Sequence, residues 1–480
     1  MDNSQSLGKG TIYNFVARAL LVLTGYATAI VLGRKLGPEI YGIYGIVTSL
    51  VFIVTIVLMT SIEQTTSKFV SEKPRLGAQI ARQIMKLQLF ASLFFTAIYF
   101  FLAPLLAAIF NDITLIPYIK YTSLLIVFQS LFSVFVGLLN GLKKFKQQAL
   151  LNMFYSSLKA VLIIGFVMLG YSIAGALTGF ILSTIVSVAV CMISQKLHIG
   201  HSVVTTRSII NFGVPVFFFS IITLLLMHLD LFFIKAFNPG NAGNLLSGYY
   251  TAALTLSRIP YYLITALSTT MFPLISEMTY RGNMRSVRNF IDKTIRFSMM
   301  ALIFVMLIVT VTAKSLVNLT YGAQYEPASI ALKILIFGSS LFSFFLLAAT
   351  IILASGKPRH AFGIGTICLC LDFVLNYILV PRYGLVGAAT ATTIAMTVGV
   401  GISVAYLRNM FGTTVQMKKL SLMLIAGMSA MLVSIFIPSK GLMLLFNYSV
   451  SCLLYVAMLF LLRVLVKQDA AIFRKLIFKS

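Results

Sequence analysis

The sequence predicts an all-α integral membrane protein of about fourteen transmembrane helices, built as two pseudo-symmetric six-helix lobes followed by two C-terminal helices. Three observations predict it. Hydrophobic residues make up 59% of the 480 and charged residues only 10%, where a soluble domain carries roughly 25%. The apolar runs are continuous and do not alternate as barrel strands do; most are about 20 residues long, enough to cross the bilayer as a helix at about 1.5 Å per residue. Segments of the first half also recur, in order, in the second.

Apolar runs broken by charges and Gly/Pro clusters place helix starts near 11, 42, 84, 117, 149, 172, 209, 247, 295, 330, 361, 385, 420 and 441. The apolar run after Lys9 is about 22 residues long, too long for a signal-peptide core, and no A-x-A site closes it, so the first span is expected to stay in the mature chain. With both termini in the cytoplasm, 26 Lys and Arg fall inside and 8 outside, Lys235 among the latter; three, Arg18, Lys159 and Arg258, are left within the membrane. This positive-inside asymmetry sets the orientation expected in a cytoplasmic membrane and favours an even number of spans. It also accounts for the net charge of +26 without a nucleic-acid partner. Anionic membrane lipids are the expected contacts of the basic loops.

The repeat is collinear. YGIYGIV near Tyr44 and SKFVSE ending at Glu72 correspond to SGYYTAA near Tyr249 and PLISE ending at Glu277, both 205 residues on. LLNGLKKF around Gly141 and GYSIAGAL around Gly175 correspond to ILASGKPRH around Gly356 and YGLVGAAT around Gly387, at offsets of 215 and 212. Each copy holds six helices, an even number, so the copies share one orientation and make a parallel repeat about an axis along the membrane normal. The expected organisation is an N-lobe at 1–194, a cytoplasmic linker at 195–208, a C-lobe at 209–410, and two added helices with a basic tail at 411–480. His198 and His201 in the linker have no acid or cysteine nearby and read as loop histidines. Cys191, Cys368, Cys370 and Cys452 all lie in apolar runs and read as inert thiols, with Cys368 and Cys370 on different sides of one helix. The sequons at Asn318 and Asn447 carry no weight without a compartment.

The stretches GRKLGPEIYGIYGI (Gly33 to Ile46), with a Gly-Pro break between the first two helices, and LSRIPYYLITALSTTMFPLISE (Leu256 to Glu277), with the two short Gly/Tyr turns, resemble the polysaccharide and lipid-linked oligosaccharide flippases of the MOP (multidrug/oligosaccharidyl-lipid/polysaccharide) exporter superfamily. The resemblance covers about residues 7 to 410. It implies two six-helix bundles around a central cavity that opens alternately to each side. The two added helices fit the oligosaccharide branch better than the twelve-helix drug exporters.

Burying a guanidinium in hydrocarbon costs about 2.5 kcal/mol or more, so the intramembrane charges mark candidate sites. Thr11, Asn14, Arg18, Gly25 and Thr28 share one face of the first helix; Thr251, Thr255, Arg258, Tyr262, Thr265 and Thr269 make a stripe on the eighth. Asn152, Tyr155, Ser156 and Lys159 share a face of the fifth. Arg18, Arg258, Lys159, Asn14, Thr255 and Tyr262 are the candidate substrate-binding residues: a cationic cavity matches the diphosphate of a lipid-linked oligosaccharide, which guanidinium groups hold bidentately. Pairing with intramembrane acids as static glue is the competing reading. Glu63, Asp230 and Asp372 are the candidates for binding a coupling ion, H⁺ or Na⁺, since a buried carboxyl can titrate; no other cofactor is expected. The acid-poor loops leave no site for metal or acid-base chemistry, so the chain is expected not to be an enzyme. Alternatives are a cation-coupled exporter of small amphipathic molecules and a flippase for lipid-linked peptidoglycan precursors. Polysaccharide assembly proteins are candidate partners, and a monomer is the favoured state.

Overall fold

The computed structural model describes residues 2–195, 205–280, 284–412 and 416–465, with side chains described from Tyr13 onward except at 14–15, 211–216, 219 and several positions between 266 and 280. The linker histidines and the side chains of Thr11, Asn14 and Thr269 lie outside the described residues. Among the described residues every regular element is helical: α1 (Asp2–Glu72), α2 (Gly77–Ile109), α3 (Leu115–Gly141), α4 (Phe145–Met168), α5 (Ser172–Ser194), α6 (Thr206–Phe237), α7 (Gly240–Ser257), α8 (Ile259–Tyr280), α9 (Met284–Thr320), α10 (Ala328–Ala354), α11 (Pro358–Phe411), α12 (Met417–Phe436) and α13 (Met443–Leu461), with two short 3₁₀ turns.

Two of these helices are double. The apolar part of α1, Val16–Glu72, has 57 residues, about 85 Å of helix and nearly three bilayer thicknesses. It breaks at Gly37, whose φ of 74° and ψ of 168° leave helical space. Pro38 then opens the second arm, where its fixed φ and missing N–H cost nothing. This is the predicted Gly-Pro break. The 54 residues of α11 break in the same way at Gly384, φ 52°, within the predicted Tyr-Gly turn. Ser172, 212 residues earlier, has φ 48° at the α4–α5 turn, so the two sequence repeats share a left-handed residue at the same point. With α1 and α11 each counted as two arms and α7–α8 as one broken rod, the helices follow the fourteen predicted starts.

By packing, the chain divides into two compact units, Met1–Gly248 and Tyr249–Ser480. In the first, α1 packs on α3, α4 and α6, α2 on α3, and α4 on α5. Glycines set the closest approach there. A Cβ at Gly42 would collide with the Asn244 carbonyl oxygen, and one at Gly248 with the Pro38 carbonyl. The crossing is reciprocal, because Pro38 and Asn244 are separated by the same 206 residues as Gly42 and Gly248. In the second unit α10 packs on α8, α9 and α11, and the α12–α13 pair docks on α9. Met300, Ile303 and Ile308 of α9 meet Met423, Ala426, Ala430, Tyr455 and Leu459 there. The Tyr455 hydroxyl donates to the Met300 carbonyl at 2.9 Å, and Tyr448 and Thr312 share a hydrogen bond of 2.8 Å. Asn447 is buried and donates to the Ser434 and Ile437 carbonyls and to Ser439 Oγ, tying the α12–α13 corner. Cys368 is buried and Cys370 exposed, on different sides of α11 as predicted.

Candidate functional site

Lys159 on α4 has an environment built from aromatic faces. Its Nζ lies 5.5 Å from the Tyr155 ring centroid and 5.0 Å from that of Phe180 on α5. The cage is itself held in place. Gln129 Nε2 donates to Tyr155 Oη at 2.9 Å, Phe132 lies 5.0 Å from the Tyr155 ring, and Phe52 of the second arm of α1 meets Phe180 edge to face at 5.8 Å. A desolvated cation over an aromatic face gains about 2 kcal/mol or more, so two such faces offset much of the burial cost. Tyr155 stood on the predicted face with Lys159, but Phe180, on the next helix, gave no signal in the sequence.

Arg18, two residues into the apolar part of α1, is exposed along the first arm. It is the charged group that acts on half-buried Glu63 of the second arm, and no carboxylate lies within 4 Å of it among the described residues. The structure therefore brings Arg18 and Glu63 into one electrostatic neighbourhood without a contact ion pair. Elsewhere in this unit, Asp230 on α6 is 2% exposed, and its Oδ1 accepts the Leu231 N–H at 2.9 Å.

In the second unit, Arg258 differs from its predicted setting. The eighth helix was expected to be continuous; the structure interrupts it at Arg258, between α7 and α8. Pro260 is the cause, since its ring and missing N–H disrupt the preceding turn. Arg258 thus sits at a kink, half-buried, where the backbone ladder thins to long bonds of 3.4 Å from Arg258 N to Thr255 O and 3.2 Å from Tyr262 N to Arg258 O. Thr255 Oγ1 donates to the Thr251 carbonyl at 2.8 Å and Thr265 Oγ1 to that of Tyr261 at 2.9 Å. Their protons satisfied, these hydroxyls keep lone pairs for other donors. Tyr262 meets Tyr261 edge to face at 5.4 Å. On the first arm of α11, Asp372 and Asn376 are both fully buried, and Asn376 Nδ2 donates to Asp372 Oδ1 at 3.1 Å and to its carbonyl at 2.9 Å.

One charged cluster was not anticipated. Lys235, counted as an external-loop lysine, is instead 0% exposed at the end of α6. Its Nζ donates to Asp112 Oδ2 at 2.7 Å, to Asn244 Oδ1 at 2.5 Å and to the Gly240 carbonyl at 3.3 Å. Asp112, in the α2–α3 corner, also accepts the Thr114 N–H and hydroxyl. Burial by itself would raise the Asp112 carboxyl, but the hydrogen bonds from Lys235 and Thr114 and the ammonium charge hold it below the usual carboxylate range. The cluster ties two corners 123 residues apart, both in the first unit.

The family model described as polysaccharide biosynthesis protein matches residues 31–330, more than half of the chain. A probable low-salt glycan biosynthesis flippase of Haloferax volcanii, Agl15, is 26% identical over 160 residues, 33% of this chain and 34% of its own length. The chain spans between a third and a half of the length of three of the curated relatives it matches. Among solved structures, the lipid II flippase MurJ in an inward closed conformation matches with a TM-score of 0.76 at 16% identity, over 97% of this chain and 98% of that one. An outward-facing multidrug resistance MATE family transporter of the MOP superfamily matches with a TM-score of 0.61 at 16% identity, over 86% of this chain and 98% of that one. At these identities the likeness is one of fold, and it is the MOP fold that the Gly33–Ile46 and Leu256–Glu277 stretches implied.

Proposed function

The chain belongs to the polysaccharide biosynthesis protein family, and from that premise we propose that it is a flippase carrying a polyprenyl-diphosphate-linked oligosaccharide across the cytoplasmic membrane. What supports this reading is the set of three basic residues that the sequence places within the membrane, Arg18, Lys159 and Arg258, with the aromatic rings of Tyr155 and Phe180 around Lys159 and the threonine and tyrosine side chains flanking Arg258. Such cations suit an anionic headgroup. Guanidinium groups grip phosphate oxygens two at a time, the threonine and tyrosine hydroxyls beside Arg258 offer hydrogen-bonding partners to sugars, and the polyprenyl tail stays in lipid.

Alternating access of two six-helix lobes, 1–194 and 209–410, would carry the headgroup across. Glu63, Asp230 and Asp372 are the positions for a coupling ion, H⁺ or Na⁺, because a carboxyl in a low-dielectric site changes its charge with its environment. The cation-coupled exporter of small amphipathic molecules remains the second reading and draws on the same acids. The docked α12–α13 pair favours the first, since a twelve-helix exporter has no counterpart for it.

The test is translocation of a fluorescent polyprenyl-diphosphate oligosaccharide in proteoliposomes. Wild type should flip it, and Arg18→Ala and Arg258→Ala should each slow flipping about tenfold or more, the loss of one charge-assisted contact of about 1.5 to 3 kcal/mol. Equal rates in folded variants would return the arginines to a structural role. A wild type that exports a cationic dye but never flips the lipid would move the assignment to the exporter.

A further inference from the structure

The α12–α13 pair docks on α9, and at the basic end of that junction lies a pocket of about 200 Å³. We infer that this pocket binds the phosphate of an anionic phospholipid, a structural lipid distinct from the transported substrate.

The pocket has two chemical halves. Lys293 and Arg296 of α9 and Lys419 of α12 contribute cations to the lining, and Met299, Leu420 and Met423 contribute apolar surface. The single acid in the lining, Asp292, faces Arg288 at 3.8 Å, so its charge is offset locally. The Arg296 guanidinium lies 5.0 Å over the Phe297 ring, which orients it. The sequence fixes the depth: α9 carries no charge from Phe297 to Ala313, and α12 none from Leu420 to Phe436. Both helices therefore pass from basic to apolar at this pocket, the level of the headgroup region. A free anion uses the cationic half alone and a neutral lipid the apolar half alone; an anionic phospholipid uses both. This inference does not rest on the transport reading.

The test uses the purified full chain in neutral detergent, titrated separately with short-chain phosphatidylglycerol, short-chain phosphatidylcholine and inorganic phosphate, with bound ligand read by native mass spectrometry. Phosphatidylglycerol should bind more tightly than either other probe. The double variant Arg296→Gln, Lys419→Gln should weaken it about thirty-fold, at roughly 1 kcal/mol for each basic residue near an anionic lipid surface. Removing the same charge from the α3–α4 corner, with Lys143→Gln and Lys144→Gln, should change it less than about twofold. Leu420→Trp fills the pocket without touching a charge, and reports on the site where the charge variant fails to fold. The inference is overturned if both charge-removing variants lose phosphatidylglycerol equally, if phosphatidylcholine binds as well, or if inorganic phosphate binds as well as the lipid.

Discussion

Asp112→Ala should be among the most destabilising single substitutions in the first unit. It leaves the Lys235 ammonium, 0% exposed, with two neutral acceptors, Asn244 Oδ1 and the Gly240 carbonyl. Stranding a buried charge costs about 3 to 5 kcal/mol; the two remaining hydrogen bonds put this case near the lower end, at about 3. The reverse substitution, Lys235→Met, should cost less. Asp112 would keep both Thr114 bonds and loses one charge-assisted contact, about 1.5 to 3 kcal/mol. The double variant Asp112→Leu, Lys235→Met strands no charge, so its cost should fall well below the sum of the singles. Unfolding in mixed micelles, followed by helical circular dichroism, reads all four proteins. Additive costs, or a Lys235→Met more damaging than Asp112→Ala, would refute the claim that burial of the ammonium governs the cluster.

The same cluster has a pH signature with a definite sign. The folded Asp112 carboxyl titrates below its unfolded value of about 3.9, so its contribution is complete above that value and fades as pH falls through the lower folded value. Wild type should lose stability relative to Asp112→Asn only below about pH 4. A difference between the two that already narrows between pH 7 and 5 would place the titration elsewhere.

Two further substitutions test the packing around the proposed site. Phe180→Leu removes one of the two rings facing Lys159 and should cost about 2 kcal/mol in the same unfolding assay, whereas adding Lys159→Met should recover most of the loss; no recovery would mean that the ring serves packing alone. Gly42→Val places a side chain where the Asn244 carbonyl already lies, and should lower the yield of folded protein sharply; wild-type yield and stability would show that α1 and α7 can part at this crossing.

The breaks in α1 and α11 were legible because their causes are local: Gly37 is followed by Pro38, and Gly384 sits in a Tyr-Gly turn, and each interrupts an apolar run too long for one crossing. The break at Arg258 had an equally local cause two residues on, at Pro260, but the threonine spacing on either side continues at helical period and hides it. A kink preserves the face of a stripe while interrupting its backbone. Asp112 and Lys235 belong to another category. They are 123 residues apart, each at the end of an apolar run where an isolated charge reads as a solvated loop residue, and neither local hydropathy nor period brings them together. Phe180 is hidden for a related reason, since an aromatic residue in an apolar helix looks the same facing lipid or facing an ammonium. Sequence therefore locates a charge that violates its solvent, as it did for Arg18, Lys159 and Arg258. What offsets the violation is a tertiary contact, and for Lys159 it proved to be two aromatic rings rather than an acid. A cation held by rings keeps its charge uncancelled, which is the state that the proposed contact with an anionic headgroup requires of Lys159.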